Sequence, residues 1–73
     1  MAYDNEQIAR ELIEIAMGNA HHGNALRVTK DIDGMTPKDR SVLDRWATGR
    51  YTAEDGWALQ SIANRILSNA THH

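Results

Sequence analysis

The chain has no cysteine and no phenylalanine, one proline, and only four aromatic residues among its 73. Without cysteine there are no disulfides, no thiolate metal sites and no thiol nucleophile, a composition that suits a reducing cytoplasm. The longest apolar run is a few residues, far below the roughly 20 that a membrane span needs, so no membrane contact is expected. The start MAYDNEQ is acidic and polar, unlike a secretion signal. Catalytic patterns are missing as well. The serines at 41, 61 and 68 stand in no GxSxG elbow, and the carboxylates form no recognisable acid/base pair. A helical domain of this length has little room for a substrate pocket, so neither enzyme activity nor a cofactor is expected.

What is present is consistent with one small domain over residues 1–70, with 71–73 as a tail. A chain this short buries only about 60% of its unfolded surface, which leaves a thin stability margin. The net charge is −2, but it is unevenly placed. Residues 1–14 carry Asp4, Glu6, Glu11 and Glu14 against Arg10, for a net of −3. Residues 27–50 carry Arg27, Lys30, Lys38, Arg40, Arg45 and Arg50 against four acids, for a net of +2. A free-standing nucleic-acid binder usually shows a larger basic excess, because phosphate neutralisation supplies most of its affinity.

Hydrophobic periodicity predicts an all-α fold of three to four helices. In the first, Asp4 or Asn5 caps the stripe Ile8, Leu12, Ile15, with Ala9 and Ala16 beside it, and Gly18 stops it. Ile13 and Met17 lie off that stripe, pointing to burial on two sides or to a partner. A second, shorter helix can start at Asn24, run through Ala25, Leu26, Thr29 and Ile32, and stop at Gly34; a short strand over Leu26–Val28 is the alternative. Thr36 followed by Pro37 opens a third helix, with Asp39 at the positive end of its dipole, an apolar face of Val42, Leu43, Trp46 and Ala47, and a stop at Gly49. Thr52 opens the fourth, whose stripe Leu59, Ile62, Ala63, Ile66, Leu67 is the strongest in the chain and is expected to pack on the first and third helices. Gly56 costs that helix roughly 1 kcal/mol, so a close approach there is expected.

The stretch DRWATGRYTAEDGWAL, residues 44–59, has the outline of a helix-turn-helix. Its details do not fit. With Gly49 at the turn, Arg45 falls where a small residue belongs and Asp55 where the second helix should be buried. With Ala47 as the small residue, Tyr51 takes the glycine slot. A frame on Gly34 puts Lys30 at the small position. A recognition helix presents its first residues to DNA, and here those are Glu54 and Asp55. DNA binding through a helix-turn-helix-like repressor or excision factor is therefore the second choice of function, and nucleic acid a secondary partner.

The remaining clusters have plain interpretations. His21 and His22 point about 100° apart on a helix, and His72 and His73 end the chain; all four are taken as solvated, with no metal site. Asn69-Ala70-Thr71 matches a glycosylation acceptor by chance. Trp46 and Trp57 are expected to share a core contact across the corner, unless one is an exposed anchor for a partner.

Two segments, MAYDNEQIARELIEIA and TPKDRSVLDRWATGRY, together with the length and make-up of the chain, resemble the small RNA-polymerase-binding transcription regulators of lytic phages of Xanthomonas. The resemblance implies a protein in the cytoplasm of a bacterial host that binds host RNA polymerase, hinders promoter-dependent initiation and promotes antitermination by occupying a surface of the enzyme. It carries over no binding residues. From the residues themselves, the candidates for partner contact are Tyr3, Arg10, Lys38, Arg45, Arg50 and Tyr51, the later ones suited to an acidic protein surface or to nascent RNA.

Overall fold

A computed structural model describes residues 4–19 and 23–71. They form four helices, α1 (Asn5–Ala16), α2 (Gly23–Thr29), α3 (Pro37–Ala47) and α4 (Ala53–Thr71), and no strand. The all-α expectation holds, and the Leu26–Val28 segment is helical.

Where caps are described, the helix ends are set by chemistry written locally in the chain. The Asp4 carboxylate accepts from the Gln7 amide at 2.7 Å and caps α1. At its other end Gly18 takes φ +80, and the amides of Gly18 and Asn19 donate to the carbonyls of Ile15 and Glu14, closing the last turn as a Schellman motif. In α3, Thr36 and Asp39 exchange side-chain-to-backbone hydrogen bonds in a capping box, with Pro37 in the first turn.

The second helix is shorter than its apolar pattern suggests, ending at Thr29 rather than near Ile32. The amides of Lys30, Asp31 and Ile32 bond three residues back, to Arg27, Val28 and Thr29, so the chain tightens and turns away. Thr29 itself is fully buried, and its hydroxyl donates to the Ala25 carbonyl at 2.6 Å. The fourth helix continues through Asn69–Thr71, covering the start of the segment expected to be a tail.

The helices close into a ring: α1 packs on α2, α2 on α3, α3 on α4, and α4 back on α1 through the most extensive contact. Asn5 at the start of α1 shares a groove with Arg65, Ile66 and Asn69 near the end of α4, so these two helices run antiparallel. The core inside the ring takes Ile8, Leu12 and Ile15 from α1, Leu26 from α2, Val42, Leu43 and Trp46 from α3, and Leu59, Ile62 and Ile66 from α4. The expected stripes are buried, apart from Ala16, Ile32 and Leu67, which are half-buried against the core, and Ala47, which is exposed. Ile13 is half-buried against the core and Met17 stands in solvent.

Candidate partner-binding surface

The corner between α3 and α4 is the most elaborated part of the surface. Thr48 caps α3, Gly49 takes φ +77, and the amides of Gly49 and Arg50 donate to the carbonyls of Trp46 and Arg45. This second Schellman motif reverses the chain within a few residues. Thr52 then starts α4: its hydroxyl accepts from the Asp55 amide, and its own amide donates to the Asp55 carboxylate at 3.0 Å. The same carboxylate receives Arg45, with Nε to Oδ2 at 2.8 Å and Nη2 to Oδ1 at 2.7 Å. Trp46 Nε1 donates to the Asp55 carbonyl at 3.0 Å, and the Tyr51 ring stacks on Trp46 with centroids 3.8 Å apart and planes 8° from parallel.

Asp55 is only 5% exposed, yet every bond it makes favours its charged form. Hydrogen bonds from Arg45, then from the Thr52 amide, hold its pKa at about 2 against the opposing effect of burial. The Arg45 guanidinium is correspondingly pushed up by Asp55. Asp39 repeats the arrangement at the start of α3. Burial there opposes ionisation, but Arg65 from α4 and the Thr36 amide outweigh it and lower the pKa.

These contacts change the comparison with a helix-turn-helix. Arg45 and Asp55 are misfits for that motif taken singly, but they match each other, so a charge pair stands at the corner where that motif has small and apolar residues. The electrostatic objection is reduced to Glu54, because Asp55 is turned inward. What still argues against DNA is the exposed face of α4. Among the described residues it offers one cation, Arg65, and that is held by Asp39. The pair α2–α3 is separated by residues 30–36, longer than the 3–4-residue turn of the motif.

The six candidate contact residues are treated unequally. Tyr3 lies outside the described residues. Arg10 is exposed and paired with Glu6 one turn away, a bond that contributes little in solvent. Arg45 offers an exposed edge, but its charge is matched by Asp55. Tyr51 is 45% exposed, with one face on Trp46. Lys38 and Arg50 are exposed with no ion pair among the described residues, and so is Arg40, which sequence reasoning did not single out. Arg40 stands four residues before Asp44, a spacing that allows a pair on one helix face, but Asp44 receives Lys30 from the end of α2.

The largest surprise is Trp57. The two tryptophans do not share a core contact: Trp46 is 5% exposed and Trp57 is 73% exposed. Trp57 begins an exposed, uncharged strip along α4 that continues through Ser61, Asn64 and Ser68 at helical spacing. Gly56 beside it is not there for a close approach within the chain, since a Cβ built on it would meet nothing within 4 Å.

No cluster of three or more potential metal ligands occurs among the described residues, and no helix among them is long and apolar enough to cross a membrane. The histidines considered as metal ligands lie outside the described residues. The described residues thus define a small all-α domain with an exposed tryptophan face and three cations, Lys38, Arg40 and Arg50, that hold no carboxylate among them. Comparison with protein-family models, with curated proteins and with solved structures returns no match.

Proposed function

We propose that the protein is a non-enzymatic transcription regulator that binds host RNA polymerase, hinders promoter-dependent initiation and lets elongation run through terminators. The target is taken from the resemblance of MAYDNEQIARELIEIA and TPKDRSVLDRWATGRY to phage regulators of that kind. The observation that carries protein binding is Trp57. Leaving so large an apolar side chain in solvent forgoes about 2 kcal/mol of burial that a partner surface can recover. The residues that follow it on that face of α4, Ser61, Asn64 and Ser68, are uncharged, as the cores of protein interfaces tend to be, and tryptophan is prominent among interface hot spots.

The immobilised protein should capture polymerase subunits from a bacterial lysate at physiological salt, and Trp57→Ala should weaken that capture at least about tenfold. Recovery of no subunit sinks the polymerase reading, and undiminished capture by the variant removes Trp57 as the anchor. Lys38, Arg40 and Arg50, which hold no carboxylate among the described residues, support a second reading, a DNA-binding repressor or excision factor working through α3. It requires retardation of duplex DNA that weakens steeply with salt and is lost when the three become alanine.

A further inference from the structure

A groove of about 380 Å³ opens on the side of the molecule where the start of α1, the α2–α3 loop and the second half of α4 meet. The apolar part of its lining comes from Ile32, Met35 and Ile66, the more buried of its residues. One wall is the loop segment that carries Asp31 and Asp33, both exposed. Five of the ten carboxylates of the described residues cap a helix or hold a cation: Asp4 caps α1, Glu6 holds Arg10, Asp39 holds Arg65, Asp44 holds Lys30 and Asp55 holds Arg45. Asp31 and Asp33 have no such partner among the described residues, although a cation stands in the same groove. That cation, Arg65, is turned to Asp39. The lining therefore presents two uncompensated negative charges beside apolar side chains.

We propose that this groove receives an arginine side chain from a partner polypeptide, with its guanidinium against Asp31 and Asp33 and its stem over Ile32, Met35 and Ile66. An arginine meets both requirements in one residue. Its three methylenes cover apolar surface, while its planar head offers several N–H donors to carboxylates set two residues apart. The volume lies at the lower end of the range that ligand sites occupy, about 300–1,000 Å³, enough for one long side chain and the backbone beside it. The basic residues of α3 repel such a segment, so this groove and the cationic face take different parts of a partner or different partners. The inference does not depend on the polymerase reading, because its test uses no polymerase.

The test is an amide chemical-shift titration of the whole protein with the capped dipeptide acetyl-Leu-Arg-amide, alongside its neutral counterpart containing citrulline. Saturating shifts are expected at residues 31–35 and 65–69, with the citrulline peptide at least about tenfold weaker. The double variant D31N/D33N, altered only at exposed loop positions, should fold as the parent by circular dichroism and lose the preference for arginine. Equal responses to the two peptides would overturn the proposal, because the groove would then select on apolar contact alone. Shifts confined to other surfaces, or a preference that survives D31N/D33N, would overturn it too.

Discussion

Arg45 on α3 and Asp55 on α4 close the corner between their helices with two hydrogen bonds of 2.8 and 2.7 Å, and the same aspartate completes the cap of α4 with Thr52. One carboxylate thus serves a local purpose and a tertiary one. Asp39 does the same at the start of α3, combining the cap with Thr36 and the bond to Arg65. Both ties fall on the α3–α4 interface, each an arginine of one helix reaching the third residue of the other. Most of the other ion pairs lie in solvent and add little.

The pH dependence follows from the sign of these shifts. Asp55 has a folded pKa of about 2, below its ordinary value of 3.8. Its contribution to stability is therefore complete above pH of about 4 and is lost as pH falls through about 2. Asp39 is shifted in the same direction. Thermal unfolding followed by circular dichroism should show the midpoint falling over that acid range. Asp55→Asn should lower the midpoint at pH 7 and flatten its fall between about pH 4 and pH 2. A variant that keeps the parental slope would show that the pair does not control acid stability.

The unequal tryptophans can be separated by fluorescence. Trp57→Phe should leave the blue-shifted, poorly quenched emission of the buried Trp46, and Trp46→Phe the red-shifted emission of Trp57, readily quenched by iodide. Stability should divide the same way. Trp57→Ala is expected to change unfolding free energy by less than about 0.5 kcal/mol, as for surface positions. Trp46→Ala removes a core ring, its stack on Tyr51 and its bond to the Asp55 carbonyl, at a cost of about 3–5 kcal/mol. Against the thin margin of so small a domain, that loss unfolds much of the population. Similar quenching of the two single-tryptophan proteins would contradict the assignment.

Gly56 offers a third check. It lies inside α4, its φ is not positive, and a Cβ there meets open space. Gly56→Ala should therefore stabilise the fold by about 0.5–1 kcal/mol, a rise of several degrees in the melting midpoint. Beside Trp57, the glycine leaves a flat patch of helix, so the same change should weaken partner capture while it strengthens the fold. A stabilised variant with full capture would place the partner elsewhere. A destabilised one would show that the chain itself needs the glycine.

Much of the architecture was legible in the sequence because helix signals are short-ranged. Thr36-Pro37, Thr52, and the glycines at 18, 34 and 49 act on backbone within one turn, and all three glycines adopt positive φ. Apolar stripes at 3.6-residue spacing report burial relative to a helix's own axis, so Leu12, Leu43 and Ile62 could be assigned to the core without knowing their neighbours. The same signals overshot where a turn competed with them, at the end of α2.

The choice of partners was decided by the tertiary structure alone. Nothing in the spacing of Arg45 and Asp55 says that two apparent misfits will meet, nor that Asp44 receives Lys30 from the end of α2 rather than Arg40 one turn before it. Trp46 and Trp57 are chemically identical, yet one faces the ring interior and the other faces solvent on α4. The groove between α1, the α2–α3 loop and α4 exists only once the ring has closed. Periodicity records which side of each helix is buried; which charge is satisfied, and which aromatic is left over for a partner, depends on distances between helices that the order of residues does not contain.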